Sequence, residues 1–136
     1  MKNNSGFTLI ELLIVITIIG ILSTMLLPNL NAAQDKAKEA SVKSIMHTLQ
    51  LALESYAVDE GIYPAGNQLS VEDLFLILAE DNYLKRLPTN PFTKAPYQSS
   101  DSSGQIYYSY VDAENGYILE GYGRNPAKTI LALSNY

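Results

Sequence analysis

The chain has 136 residues, a formal net charge of −5 and no cysteine. This length suits one domain with a modest core. The acidic balance, without a basic cluster, argues against nucleic acid as the main partner, and the missing cysteines exclude a disulfide-stabilised domain.

The first residues predict a short leader followed by a membrane span. Residues 1–6 are polar, and the apolar run Phe7–Leu27 contains a single charged residue, Glu11. As a helix, these 21 residues would extend about 30 Å, the thickness of the hydrocarbon layer. A secretory signal peptide would have a shorter apolar core and a small-residue cleavage site after it. We therefore expect the run to stay in the mature protein.

Glu11 is the unusual feature of this span. An ionisable group costs roughly 2.5–3.5 kcal/mol at the centre of a membrane helix and less near its end. Acidic residues are therefore rare in such segments and usually have a partner. We expect Glu11 to have one.

The stretch Gly6-Phe7-Thr8-Leu9-Ile10-Glu11-Leu12 resembles the class III signal, or prepilin N-methylation motif, of type IV pilins and type II secretion pseudopilins. The resemblance implies that a prepilin peptidase cuts between Gly6 and Phe7, that Phe7 is then N-methylated, and that the chain polymerises into a helical filament. It also implies that Glu11 serves assembly. Glu11 lies one helical turn from the new Phe7 amine, so it could pair with that amine or with the amine of a neighbouring subunit.

Gly20 lies inside the span and Pro28 ends it, because proline removes a helix hydrogen bond. Two interpretations are open and can both hold. Pro28 can begin a second helix at its first turn, or Gly20 to Pro28 can be a weak segment that stretches when helices pack in a filament. We take residues 7–28 as the transmembrane and filament-core helix and residues 29–136 as the globular domain.

Residues 29–58 are predicted to continue the helix out of the membrane, with Gly61 as its stop. Its second half carries an apolar stripe at helical spacing: Val42, Ile45, Met46, Leu49, Ala52, Leu53 and Tyr56. Ser70 to Asp73 predicts a capped start for a short helix ending near Glu80. The following stretch, Tyr83 to Phe92, resembles a loop of the major pseudopilin of type II secretion, with Asn90 and Phe92 in place of an Asp and a Trp.

Three strands are predicted towards the C-terminus, over 106–111, 117–122 and 129–133. Asp112, Glu114 and Asn115 stand between the first two and favour a hairpin turn. Calcium is the alternative, because it prefers oxygen ligands. Major pseudopilins are known for calcium in a C-terminal loop, but this chain lacks their Asp-rich segment. We predict no cofactor, and calcium only as a weak candidate.

These patterns predict an α+β fold, with a long N-terminal helix packed on a small antiparallel sheet, as the pilin resemblance also implies. Within the sequence no nucleophile–base pair, phosphate loop or metal cluster is apparent, so we do not expect an enzyme. We expect the structural subunit of a pilus-like filament, with a pseudopilin of type II secretion preferred. The alternative is a type IV pilin of a surface pilus, serving adhesion, twitching motility or DNA uptake.

The resemblance also implies location and partners. It places the chain in the bacterial inner membrane as a single-pass protein with its C-terminal domain outside the cytoplasm. Lys36, Lys38 and Lys43 follow the span and oppose this orientation under the positive-inside rule. The implied partners are other copies of the chain, prepilin peptidase, the inner-membrane assembly platform and minor pseudopilins. Nucleic acid would be expected only for a DNA-uptake pilus.

Overall fold

The computed structural model of the protein describes residues 6–135, without the side chains of residues 26–29. The predicted leader therefore lies outside the described residues except for Gly6. The chain divides into two units, Met1–Gln34 and Asp35–Tyr136. This division falls a few residues beyond the predicted end of the span at residue 28.

One α-helix, α1, runs over Leu9–Glu60. It ends where Gly61 takes a positive φ of 79°, which glycine adopts without strain, and Gly61 N donates to Ala57 O at 2.9 Å. The predicted stop at Gly61 is confirmed. α1 passes through Gly20 and Pro28 as regular helix, and their role in helix flexibility stays a prediction.

The unit from Asp35 contains a four-stranded antiparallel sheet and a second helix. In chain order these are β1 (Leu69–Ser70), α2 (Val71–Glu80), β2 (Ile106–Val111), a 3-10 turn (Asp112–Glu114), β3 (Gly116–Tyr122) and β4 (Thr129–Ser134). The strands lie in the order β1-β2-β3-β4, each antiparallel to the next. The predicted number of strands was wrong: β1 was missed because two residues carry no alternation of apolar and polar positions.

The core of this unit lies between α1 and the sheet. The predicted stripe supplies the helix side, with Val42, Met46, Leu49 and Leu53 fully buried and Ala52 nearly so. The sheet supplies alternate residues of β2 and β3, which a pleated strand directs to one face: Ile106, Tyr108, Tyr117 and Leu119. The α+β fold with a helix packed on a small sheet is thereby confirmed.

α2 begins with the predicted capping box. Ser70 Oγ accepts from Asp73 N at 3.2 Å, and Asp73 Oδ2 accepts from Ser70 N at 3.4 Å. These two bonds satisfy amide groups that the first helical turn leaves free. The helix then buries Val71, Leu74 and Leu78 on one side.

Glu54 ties α1 to two other parts of the unit. Its carboxylate accepts from Tyr63 OH at 2.8 Å and from Tyr117 OH at 2.9 Å. The two phenol rings also pack together, with centroids 4.9 Å apart. Burial, together with the bond to Glu54, raises the pKa of the Tyr117 phenol well above its ordinary value. Both phenols therefore stay protonated donors at neutral pH.

Gly121 marks a close approach between β3 and α1, and it gives a first testable prediction. A Cβ at this position would collide with the sulfur of fully buried Met46. Overpacking of this kind costs about 1–3 kcal/mol, so we expect Gly121→Ala to lower the Tm of the full chain in detergent by several degrees. Circular dichroism during heating measures this. Ala132→Val, which enlarges an exposed position of β4, is the control, and equal Tm values for the two variants would contradict the prediction.

Candidate functional site

The start of α1 is closed by a second capping box. Glu11 Oε2 accepts hydrogen bonds from Thr8 N and Thr8 Oγ1, both at 2.8 Å, and Glu11 N donates to Thr8 Oγ1 at 3.3 Å. Thr8 is the residue before the helix and Glu11 the third residue within it, as this motif requires. The capping role of Thr8 was not predicted, although Thr-x-x-Glu before an apolar run is the sequence signal for it.

Gly6 and Phe7 precede the helix and carry no regular secondary structure. Both are exposed, and Phe7 exposes 77% of its surface. The bond between them therefore lies in an exposed segment outside regular secondary structure, the kind of segment that proteases reach most readily. Hydrolysis there would leave a free amine on Phe7, directly before Thr8 and one turn from Glu11.

The predicted span is apolar on every side. By length and composition α1 could cross a membrane, and none of its most apolar window is buried within the chain. Its hydroxyl groups bond to the backbone: Thr17 Oγ1 to Leu13 O at 2.7 Å, and Ser23 Oγ to Ile19 O at 2.8 Å. Thr24 does likewise with Ile21 O at 2.7 Å. These hydroxyls can therefore enter hydrocarbon with their donors satisfied, and lipid or other helices must cover the surface.

The turn between β2 and β3 holds the weak calcium candidates. Asp112 and Glu114 are exposed on the 3-10 turn, and Asn115 follows with a positive φ of 42°. Asn115 Oδ1 accepts from Tyr110 OH and its Nδ2 donates to Gly61 O, both at 3.4 Å. The hairpin turn is confirmed. Among residues 6–135 no group of three or more His, Cys, Asp or Glu side chains is placed to hold a metal ion, and calcium binding stays an untested prediction.

A buried asparagine organises the loop before β2. Asn90 is fully buried, and its Nδ2 donates to Asp101 Oδ2 at 2.9 Å and to Ser103 O at 2.8 Å. Its Oδ1 accepts from Phe92 N at 2.9 Å. Since the amide uses both donors and its acceptor, it joins two segments that would otherwise leave buried polar groups unpaired.

Phe92 links this loop to the first turns of α1 within the unit Asp35–Tyr136, which we call the compact unit. Lys38 Nζ lies 5.5 Å and the Arg124 guanidinium 5.9 Å from the ring centroid, distances that suit cation–π attraction. Arg124 also forms a two-pronged ion pair with Asp35, at 2.6 Å and 2.7 Å. Hydrogen bonding to Arg124 holds the pKa of the Asp35 carboxyl below its usual value.

The Thr8 capping box gives a second prediction. Thr8→Val keeps the side-chain shape and removes the hydroxyl, and loss of a cap costs about 1 kcal/mol. We expect the Glu11 amide of the uncleaved chain in detergent to exchange its hydrogen about fivefold faster, as that energy implies. Thr8→Ser keeps the hydroxyl and should exchange at the original rate. Equal rates in Thr8→Val and Thr8→Ser would show that the cap is not formed.

Comparison with known proteins gives independent information on this helix and on the chain as a whole. Residues 1–27 match the family model described as the prokaryotic N-terminal methylation motif. Type II secretion system core protein G of Klebsiella michiganensis is 36% identical over 115 residues, 77% of this chain and 80% of that protein. The protein of the same name in Vibrio cholerae is 31% identical over 132 residues, 90% of each chain.

A pilus protein is also similar over a shorter stretch. The type IV wide pilus major component PilA4 of Thermus thermophilus is 43% identical over 76 residues, 56% of this chain and 57% of that protein. No solved structure matches the chain significantly. The relatives that cover most of both sequences, and the motif at residues 1–27, agree with each other: this chain belongs to the family of type II secretion system core protein G.

Proposed function

We propose that the chain is the repeating structural subunit of a type II secretion pseudopilus, a filament whose assembly drives protein export. The observation that carries this proposal is the similarity to type II secretion core proteins over 77–90% of the chain. The family consists of structural subunits rather than enzymes. The methylation motif at residues 1–27 supports the inference that the chain is cleaved and methylated before it assembles.

Processing would change the surroundings of Glu11. In the uncleaved chain its carboxylate accepts both Thr8 donors. Cleavage after Gly6 creates a positive amine on Phe7, one helical turn away. In a filament of staggered helices the carboxylate can instead meet the amine of a neighbouring subunit. A buried charge without its partner is strongly unfavourable, so this pair would set the register between subunits.

Before assembly, the same helix would anchor the subunit in a membrane. The apolar part of α1 supports anchoring of the unassembled subunit in a membrane. We further propose a single span in the bacterial inner membrane with the C-terminal unit outside the cytoplasm. Prepilin peptidase, the inner-membrane assembly platform and minor pseudopilins would then be its partners besides other copies of the chain.

A subunit of a surface type IV pilus is the second candidate. The similarity to the wide-pilus component of Thermus thermophilus, 43% over 76 residues, favours it. That similarity covers only 56% of the chain, whereas the secretion proteins match most of it. The secretion pseudopilus therefore stays the preferred function.

Shearing of native cells, followed by intact mass measurement on the sheared and membrane fractions, tests both candidates. A chain that begins at N-methylated Phe7 and is confined to the membrane fraction is expected for a secretion pseudopilin. The same mass in long sheared fibres would favour the surface pilus. A chain that still begins at Met1 in both fractions would overturn the filament proposal.

A further inference from the structure

The compact unit carries charges of opposite sign at the two ends of its helix. The end at which α1 leaves the core has six exposed acidic side chains, which we call the acidic end: Asp59, Glu60, Glu80, Asp81, Asp112 and Glu114. The end at which α1 enters the unit has five basic side chains, which we call the basic end: Lys36, Lys38, Lys94, Arg124 and Lys128. The helix segment from Asp35 to Glu60 separates the two ends by about 38 Å.

Two hydrogen bonds bring together the elements that carry these acidic side chains. Tyr83 OH donates to Asp59 Oδ2 at 3.0 Å, and Asn115 Nδ2 donates to Gly61 O at 3.4 Å. These bonds bring the end of α2 and the β2–β3 turn to the end of α1. Desolvation and the bond to Asp59, with the negative charges of Asp59, Asp81 and Glu60, raise the pKa of Tyr83 to about 12.

The acidic end is unfavourable for an isolated subunit. Neither α1 nor α2 has a basic residue in its last turn, although the negative pole of a helix favours cations there. Lys85 and Arg86 follow Tyr83 along the chain. Among the described residues, however, the sole ion pair joins Asp35 to Arg124. The acidic side chains therefore repel one another and can gain from a positively charged partner.

The basic end is assembled by the contacts around Phe92. Lys38 and Arg124 lie over its ring. Lys94 follows Phe92 by two residues in the sequence. Lys128 lies in the turn after Arg124, where Lys128 N donates a hydrogen bond to Asn125 O at 3.2 Å. Of the acids nearby, Asp35 is paired with Arg124, and Asp101 accepts from Asn90 and from Gln98 N. Glu39 packs against Gly123. Three of the basic side chains are exposed and give this end a positively charged surface: Lys36, Lys94 and Lys128.

From this polarity we propose that the acidic end of one subunit docks on the basic end of another copy of the chain. This inference rests on the proposed filament function and adds a contact between globular units to the packing of the apolar helices. The two surfaces differ, so the contact is head-to-tail, and such contacts build open helical filaments when the rotation between subunits does not close a ring. An anionic membrane surface could also attract the basic end, but it would leave the acidic end without a partner.

Charge reversal tests this pairing in cells that produce the full chain. Lys36→Glu with Lys128→Glu reverses part of the basic end, and Glu60→Lys with Glu80→Lys reverses part of the acidic end. We expect each pair to lower the yield of sedimentable filaments about threefold or more, as like charges replace attractive pairs. All four changes together should restore the yield towards that of the unchanged chain. Lys43→Glu, an exposed mid-helix position, is the control and should leave the yield unchanged.

The other outcomes are equally informative. Loss of filaments on reversing the basic end alone, without rescue by the acidic-end changes, would overturn the proposal and favour a membrane surface. An unchanged yield in every variant would also overturn it. If filaments fail to form even in the control, or the processed mass is not found, the proposed function itself is at fault.

Cross-linking gives a test that does not depend on filament yield. The natural chain has no cysteine, so Lys36→Cys with Glu60→Cys supplies the only two thiols. They lie about 36 Å apart on one helix, too far to join within a subunit. A short bis-maleimide should therefore produce a ladder of linked subunits in assembled filaments, and neither single-cysteine variant should. Filaments that form normally but give no ladder would overturn the pairing.

Discussion

Glu11→Gln is expected to reduce filament yield to less than about one-tenth while cleavage after Gly6 continues. Glutamine is accepted at the third helix position of a capping box, so it can still accept the Thr8 N–H. The change therefore removes the charge and keeps the start of α1. Loss of one partner of a buried ion pair costs on the order of 3–5 kcal/mol, which is enough to stop a subunit from joining. Quantification of sedimentable filaments, with intact mass to follow cleavage, measures both effects.

Two companion variants separate charge from helix capping in this experiment. Thr8→Val removes the capping hydroxyl and keeps the Glu11 charge, so it should reduce filament yield less than Glu11→Gln. Glu39→Gln removes an acidic side chain of α1 beyond the predicted span and should leave assembly nearly unchanged. Filaments of Glu11→Gln at the original yield would show that the pairing with the Phe7 amine is wrong.

Asn90→Asp is expected to destabilise the compact unit by about 2–3 kcal/mol near pH 8. The new carboxylate would face Asp101 Oδ2 and Ser103 O, which now accept hydrogen bonds at 2.9 Å and 2.8 Å. The negative charge of Asp101 and the carbonyl dipole of Ser103 both disfavour the ionised form, so they raise the pKa of the new carboxyl in the folded state above its unfolded value. The unfolded chain then releases that proton more readily, so stability falls as the pH rises through the folded-state pKa and recovers at lower pH.

The difference in Tm between this variant and the unchanged chain, followed from pH 5 to pH 8, measures the effect. Asn67→Asp is the matched control, because Asn67 is exposed and its Oδ1 already accepts from Ser109 Oγ. A deficit for Asn90→Asp that does not change with pH would contradict the electrostatic explanation. It would leave lost hydrogen bonds as the whole cause.

Periodic segments of this chain could be predicted well from sequence. The stripe from Val42 to Leu53 follows helical spacing, and these side chains do form the helix side of the core. β2 was predicted with its observed bounds, since Tyr, Ile and Val favour strands. Ser70 and Asp73 formed the expected capping box because that motif depends only on local spacing.

Features that depend on distant contacts could not be predicted. β1 exists because Leu69 and Ser70 pair with Tyr108 and Tyr107, which two residues alone do not indicate. Asn90 lies among prolines in what resembles a loop, yet its burial depends on Asp101 and Ser103. The Thr8 capping box is a local motif that Thr-x-x-Glu indicates, but the Phe7 amine was the partner predicted for Glu11.

The two hydrogen bonds that Glu54 accepts from Tyr63 and Tyr117 bear on how a filament could withstand mechanical force. A subunit that is pushed or pulled through its N-terminal helix must pass the force to its globular part. The Glu54 carboxylate is hydrogen-bonded both to the segment after α1, through Tyr63, and to strand β3, through Tyr117. About one turn further along α1, Asp59 accepts a hydrogen bond from Tyr83 OH. Because these bonds are loaded side by side rather than one after another, displacement of the helix along its axis would strain them together. The phenol–carboxylate cluster would thus couple α1 mechanically to β3 and to the segments that follow α1 and α2.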